Sequence, residues 1–565
     1  MGIPSFYRDL CRRFPSLIQR GGVAASKTAW LCLDFNCAMY HVLRSHRPFP
    51  VAVSEGGGAT LWERELCDAI AAYMREIVRI VAPTDGVYVS CDGVVCAAKR
   101  RQQRLRRFKG PWIAAQEAAI QHRPCESGWD QNALTPGSAF MAQLGVCLNV
   151  AASQLSTQLG IPVEVSTTSE PGEGEHKLMA RMRSLPKAPR HVTIYGLDAD
   201  LILLSMLLET ETGAHVCLLR EAQEFERGSS SEEWRTLDIR GLMGAMFSSP
   251  SSSMSSAHCR DFVAAMSLLG NDFLPRSLTH SVRNDGIQEL LGLLQKHLWS
   301  RGMWLVEATP EGRVSRPALL ALMDVWATTE AQDMLVSVQT AVRESRREPR
   351  PGPGREPNPA LDAWNALPAT WAALALLSGS RNRDGSPMTL RPDWAAVYRR
   401  IWRPGAPNDY CAGVAWVWDY YSGRAVDQGW VLDHHLPPLW TDVAAYLRST
   451  STSTSTSILS PPIVYPTSLH EQIHLLAVLP SDSVKRLLLP APAPFHEWMA
   501  TSTPFWPTSW SLFDVGRTQM WECEAVLPLV SEVTLRRWDA TLRSTDTDTV
   551  KVKPTKPTHK RADKT

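Results

Sequence analysis

Residues 192–200 read Val-Thr-Ile-Tyr-Gly-Leu-Asp-Ala-Asp: a short run of strand-forming residues, a glycine, and then two aspartates two positions apart. The same grammar occurs twice more upstream. Ala29-Trp-Leu-Cys-Leu33 ends at Asp34, and Val87-Tyr-Val-Ser-Cys91 ends at Asp92. Each is a buried-strand pattern closed at its C-terminal end by a carboxylate. Helical patterns lie between them, at Leu61 to Val81 and Phe140 to Leu159. Strands alternating with helices predict an α/β fold, with a mostly parallel central sheet flanked by helices. Ligands of such sheets gather at the carboxyl ends of the strands, where these acids fall.

Outward from that stretch the chain changes character. Its 565 residues exceed one ordinary core, and 44% hydrophobic with 21% charged residues is ordinary globular composition. We expect an α/β region carrying these strand-end acids over 1–290 and a connecting helical segment over 291–400, with a Pro/Gly/Arg-rich flexible linker at 343–359. A second, mixed helical region over 401–545 packs against the first, and a basic disordered tail fills 546–565. Sixteen of the 21 tryptophans follow residue 290, so the second half is an aromatic-rich unit of its own. Trp402, Trp416, Trp418, Trp440, Trp506, Trp510 and Trp521 are expected mostly in its core. The Ser-rich runs at 248–256 and 449–457 are expected to be surface loops.

No apolar run reaches the ~18 to 20 residues of a membrane span, and Met1 to Tyr7 has neither signal-peptide nor transit-peptide character. We expect a monomer, inside the cell and away from membranes. The basic tail favours the nucleus over the cytoplasm. The twelve cysteines show no Cys-x-x-Cys pair and no spacing that suggests zinc, and are expected to be reduced and mostly buried. A net charge of +2 leaves any nucleic-acid site to local clustering.

Seven acids sit just after a strand or in a glycine-flanked turn: Asp34, Asp92, Glu173, Glu175, Asp198, Asp200 and Asp272. Singly, a strand-end Asp is more often a helix N-cap than a catalyst. As a set they resist that reading. Two carboxylates ~5 Å apart at an effective dielectric near 20 repel by roughly 3 kcal/mol, so a pocket of several such pairs calls for cations. All-oxygen ligation suits Mg²⁺, with Mn²⁺ as a substitute, and not zinc. Two such ions ~3.5 to 4 Å apart are suited to phosphodiester hydrolysis.

After Asp92 comes Lys99-Arg-Arg-Gln-Gln-Arg-Leu-Arg-Arg107. As a helix this run puts Lys99, Gln103, Arg106 and Arg107 on one face, where Lys and Arg can take a phosphate. An isolated basic run is usually a solvated face, but this one starts at a strand-end acid.

These blocks resemble the XRN 5′-to-3′ exoribonucleases. The matching stretches are MGIPSFYRDLCRRFPSLI at Met1, LDFN at Leu33, DGVVCAAKRRQQRLRRF at Asp92 and NALTPGSAFM at Asn132. They continue with EPGEGEHKLM at Glu170, YGLDADLILL at Tyr195 and LLGNDFLP at Leu268. Weaker matches are YCAGVAWVWDYYSG at Tyr410, the stretch Trp430 to Pro438, SLHEQIHLLAVLP at Ser468 and WECEAVLPLVSEVTLRRW at Trp521. The resemblance implies a fold like that of PIN-type 5′ nucleases. It also implies two Mg²⁺ ions on the seven acids, a 5′-phosphate pocket at Lys99, Gln103, Arg106 and Arg107, and single-stranded RNA as substrate, degraded to nucleoside 5′-monophosphates. Base stacking falls to Tyr40, His41 and Trp430. Tyr40 stands where the family usually has His, Cys96-Ala97 replaces a usual Pro-Arg, and Gln428 replaces a usual Trp. Two other readings make different demands on the sequence. A DNA flap nuclease would carry a Gly-rich helix-turn-helix after Asp272, where RSLTHSVRNDGIQ stands instead. An inactive RNA-binding scaffold would usually have lost one of the acids.

Overall fold

The computed structural model describes residues 3, 6–20, 28–49, 58–123, 128–222, 234–247, 256–345, 357–370, 375–378, 388–450, 456–488 and 494–549. Seven strands form one sheet: β1 (Ile18–Arg20), β2 (Trp30–Asp34), β3 (Gly86–Ser90), β4 (Val163–Ser166), β5 (His191–Tyr195), β6 (His215–Glu221) and β7 (Trp234–Asp238). Their order is β1-β7-β6-β5-β2-β3-β4. The pairs β4–β3, β3–β2, β2–β5 and β5–β6 are parallel, whereas β6–β7 and β7–β1 are antiparallel.

The central strands are apolar on both faces because helices cover both. Every residue of β2 and of β3 is buried. On one face, Leu31, Leu33, Val87 and Val89 pack under the helix Gly58–Val81, through Trp62, Leu66, Ile70 and Ile77. Those positions recur every three to four residues, the helical period, and burying one such side chain contributes about 1.5–3 kcal/mol. On the other face, Val192, Ile194, Val216 and Leu218 pack with the all-round apolar helix Asp200–Thr212.

The helix Ala139–Leu159 is long and apolar enough to cross a membrane by length and composition. Its Phe140, Met141, Leu144, Leu148, Ala151 and Leu155 all sit in the core beside Val87 and Val89, so its apolar face serves the sheet.

The second half has a buried cluster of its own, around Met334, Val397, Tyr398 and Leu436, and it also shares the core of the first half. Tyr410, Val414, Trp416, Val417 and Tyr421, on the helix Pro407–Tyr421, belong to the same buried cluster as Val192 and Leu203. Leu290, Leu293 and Leu294 belong to it as well, so the boundary expected at 290 runs through shared packing. The expected linker is partly helical: Arg343 and Glu344 end the helix Arg316–Glu344, and Pro359 opens the helix Pro359–Asn365. A proline at the first helical position costs no hydrogen bond, which is why Pro359 starts a helix and does not break one. Residues 346–356 lie outside the described residues.

The Ser-rich runs fall mostly outside them too, but Ser256 opens a helix and Ser457 lies in a short strand. The expected tail begins late, because the helix Glu532–Thr549 continues through 546–549 and the remainder is outside the described residues. Trp416, Trp418, Trp440 and Trp506 are buried as expected, whereas Trp521 is 59% exposed, its ring 5.9 Å from the Arg283 guanidinium. Eleven cysteines among the described residues are free thiols, seven of them buried.

Candidate active site

The strand order reverses between β2 and β5. From β2 the chain steps outward through β3 to β4, then returns to the other side of β2 as β5 and β6. Loops leaving β2 and β5 must therefore part in opposite directions, opening a crevice at the carboxyl ends of the strands. Asp34 is the last residue of β2 and Asp92 follows β3. Asp198 follows β5, and Asp200 opens the next helix. Glu173 and Glu175 come from the start of the helix Gly174–Arg183, which packs on β2 and β3. Asp272 arrives from a turn beyond the helix Ser256–Met266, where the Asn271 carboxamide oxygen accepts the backbone N–H groups of Phe273 (2.9 Å) and Leu274 (2.8 Å).

Close approach is built into the backbone. The Gly174 N–H donates to Asp92 Oδ1 at 2.7 Å. A Cβ on Gly174 would lie 2.8 Å from Asp34 Oδ1, and one on Gly93 only 1.9 Å from the Glu170 carbonyl oxygen. Only glycine admits the carboxylates and the turn at these two places.

Four of the acids are buried: Asp34, Glu173, Glu175 and Asp200. Asp34, Glu175 and Asp198 place ligand atoms within 4.8 Å of one another, and Glu173, Glu175 and His176 do the same. Burial, and then the neighbouring carboxylates, push Asp34 and Glu175 well above the ordinary carboxylate range. Asp200 is pushed to about 7 by burial, with Asp198 and Asp272 adding to the rise against the pull of Lys99. Both of its carboxylate oxygens are buried with no hydrogen-bond partner. Leaving such a group unsatisfied costs about 1–3 kcal/mol or more. A carboxylate-rich cluster with orphaned oxygens, with His176 beside Glu173 and Glu175, fits a hard divalent cation.

Lys99 is the one expected pocket residue that lies among the acids themselves. Its ammonium is bonded to Glu173 and sits 2.8 Å from Asp272 Oδ2. Burial works against its charge, but Asp272 and Glu173 outweigh burial and hold its pKa well above the ordinary value. Further along the helix Ala97–Ile120, Gln103 is buried, Arg107 is half-buried beside the Tyr40 hydroxyl, and Arg106 is exposed. The other basic residues of the run hold the second half in place. Arg100 pairs with Glu532, Arg101 with Asp433 at 2.7 Å, and Arg104 donates to the Ala477 carbonyl at 3.0 Å. The helix starts by donating the Ala97 N–H to the Gln428 carbonyl at 2.7 Å. Both of these are positions where the sequence departs from the family.

Of the expected stacking residues, Tyr40 and His41 diverge by one helical step. Tyr40 faces Arg107, whereas His41 stacks on Tyr73 with ring centres 5.0 Å apart. Trp430 stacks on Trp416 at 4.8 Å, and Trp416 stacks on Tyr420 at 5.0 Å. That column reaches the acids, because the Tyr420 hydroxyl donates to Glu173 Oε1 at 2.6 Å. Sequence reasoning missed Tyr420 as a site residue. It also missed His176, whose ring lies 4.0 Å from that of Tyr420, and Tyr421, whose buried hydroxyl has no hydrogen-bond partner. The one local signal was His176 directly following Glu175; nothing near Tyr420 in the chain tells of Glu173.

Fold and site together define an α/β protein with an acidic centre at its topological switch point. Residues 1–222, which carry six of the seven acids, match the family model described as XRN 5′-3′ exonuclease N-terminus. The chain is 31% identical over 307 residues to the 5′-3′ exoribonuclease 1 of Saccharomyces cerevisiae, covering 49% of this chain and 19% of the relative. It is 25% identical over 603 aligned positions to the 5′-3′ exoribonuclease 1 of Homo sapiens, covering 94% of this chain and 34% of the relative. The chain thus spans about a fifth to a third of the length of these relatives. A solved structure of the catalytic core of Rad2 in complex with DNA substrate aligns at a TM-score of only 0.27 and 11% identity, over 51% of this chain and 68% of that one. A likeness that low lends no weight to either nucleic acid.

Proposed function

We propose that this chain is a 5′-to-3′ exoribonuclease. It hydrolyses single-stranded RNA bearing a 5′-monophosphate to nucleoside 5′-monophosphates, in RNA turnover or processing. The observation that carries the reading is the convergence of seven acids at the switch point, with Lys99 of the basic helix reaching into them. The acids would hold two Mg²⁺ ions, with Mn²⁺ as a substitute. Such ions supply an activated water and offset charge on the leaving 3′ oxygen. The chain's own groups do the rest. Gln103, Arg106 and Arg107 continue the Lys99 face and bind the 5′-phosphate, setting the terminal nucleotide in register with the acids. Tyr40, beside Arg107, stacks on the terminal base, and Trp430 offers a sequence-tolerant face further out. His41 is engaged by Tyr73. The protein acts as a monomer inside the cell, and its basic segment 551–564 favours the nucleus over the cytoplasm.

The test is a time course of the purified chain with Mg²⁺ on single-stranded RNA carrying a 5′-monophosphate, beside 5′-triphosphate RNA and a DNA flap. Mononucleotides from the monophosphate RNA alone are expected. Preferred cutting of the flap, or binding without any cleavage, overturns the proposal.

A further inference from the structure

At the end of the sheet away from the acids, a second cluster of ligand-type side chains comes together across three strands. His215 and Cys217 lie two apart on β6, and therefore on one face. His191 is the cross-strand partner of His215 on β5, and Asp238 is the partner of Cys217 on β7. Direct cross-strand partners share a face, so all four side chains stand together. His215, Cys217 and Asp238 place ligand atoms within 4.8 Å of one another. His215 Nε2 lies 2.8 Å from Asp238 Oδ1, and its Nδ1 lies 3.3 Å from His191 Nδ1. The side chains of His215 and Asp238 are 26% and 35% exposed, so a solute ion can reach them. Room for the carboxylate is provided by Gly241, where a Cβ would stand 2.9 Å from Asp238 Oδ2.

We infer that His215, Cys217 and Asp238 form a binding site for a borderline divalent cation of the zinc class, distinct from the acidic centre. An ion pair between His215 and Asp238 accounts for two of the three groups but gives no role to the thiol at the register partner of Asp238. One N, one S and one O ligand is a set suited to Zn²⁺ and unsuited to Mg²⁺. His215 ligates through Nε2, already turned toward Asp238, and donates its Nδ1 proton to His191 Nδ1. That outer contact fixes the tautomer, as partners of metal-bound imidazoles do. Ligation converts the Cys217 thiol to thiolate and releases one proton to solvent. Burial, with Asp238 and Glu209 adding to it, holds the free thiol up at about 12, so without a cation it stays protonated. The fourth tetrahedral position is left to water. A cation here joins β6 to β7 at the edge where the sheet turns antiparallel.

The experiment uses the full chain, purified in Mg²⁺ and freed of zinc, titrated with Zn²⁺ against a chromophoric chelator and, separately, with Co²⁺. One tightly held Zn²⁺ per chain is expected, with a thiolate-to-cobalt charge-transfer band in the Co²⁺ form. Cys217→Ser should lose both while keeping its circular dichroism and Mg²⁺-dependent activity. His191→Ala should bind about 10- to 100-fold more weakly. Failure of the wild type to take up zinc, or retention of zinc and the cobalt band in Cys217→Ser, overturns the inference. Should Cys217→Ser fail to fold, the wild-type cobalt band and the His191→Ala affinity decide: absence of the band, or an unchanged affinity, overturns it.

Discussion

Replacing Tyr420 with Phe removes one oxygen and tests whether the second half of the chain completes the acidic centre. The ring contacts remain available: Trp416 at 5.0 Å, Phe273 at 5.3 Å and His176 at 4.0 Å between ring centres. Lost is the 2.6 Å bond from the Tyr420 hydroxyl to Glu173 Oε1. Hydrogen bonds to charged groups contribute about 1.5–3 kcal/mol. At 1.36 kcal/mol per tenfold, a Glu173 released from that bond weakens the site by about 10- to 150-fold. Tyr420 touches a proposed ligand and not the substrate, so its part is positioning. The loss should therefore fall chiefly on the Mg²⁺ dependence, with a smaller fall in the rate at saturating Mg²⁺ and an unchanged KM for RNA. The assay is the initial rate of mononucleotide release from 5′-monophosphorylated RNA over a Mg²⁺ titration, with thermal denaturation alongside. A Mg²⁺ midpoint and rate equal to those of the wild type refute the reasoning. A collapse of the melting transition assigns Tyr420 to packing alone.

Four further outcomes are expected. Asp200→Ala should abolish cleavage while binding of single-stranded RNA persists, because it removes a buried carboxylate whose oxygens have no other partner; loss of binding and activity together, by gel shift and rate, points to folding instead. Arg106→Ala should reduce the preference for a 5′-monophosphate over a 5′-hydroxyl end by about tenfold, the scale of one charged hydrogen bond, and an unchanged ratio removes this helix from the phosphate pocket. Gly174→Ala puts a methyl 2.8 Å from Asp34 Oδ1 and 3.4 Å from Asp92 Oδ1, so activity should fall by about 5- to 150-fold, the scale of 1–3 kcal/mol for overpacking; full activity would show the acids free to shift. Asp261, buried beneath the Val306 N–H (2.8 Å) and the Trp299 indole N–H (3.0 Å), is held up at about 6, chiefly by burial. A group with a raised folded pKa binds more protons folded than unfolded, so its contribution is fullest below about pH 4 and falls as pH rises through about 6, by about 3 kcal/mol. Asp261→Asn should flatten that slope in denaturant unfolding, and curves parallel to the wild type would contradict the assignment.

The second half emerges from the structure as a brace for the first. Tyr420 holds Glu173, the Gln428 carbonyl receives the N-terminus of the basic helix, and Asp433, Ala477 and Glu532 take up Arg101, Arg104 and Arg100. The basic run that reads as a phosphate-binding face is thus divided by direction. Lys99 points to the acids, Arg107 lies beside Tyr40 and donates to the Asn132 carboxamide oxygen and the Leu134 carbonyl (3.4 Å each), and Arg100, Arg101 and Arg104 tie two distant parts of the chain together.

What could be read directly was whatever depends on neighbours in the chain. An apolar run ended by an acid declares a buried strand with a carboxylate at its mouth, so Asp34, Asp92, Asp198 and the parallel sheet followed from period and composition alone. The long basic helix followed in the same way. The partners did not, because each lies far along the chain and is brought in by packing. Tyr420 is 247 positions from Glu173, and Lys99 is 173 from Asp272. The grouping of His215, Cys217 and Asp238 went unread for the same reason: Asp238 comes from a different strand, and cysteine spacing cannot reveal a proximity set by β-sheet register. Periodicity is local, whereas the charge balance of a buried site is decided by whichever side chains the core delivers to it.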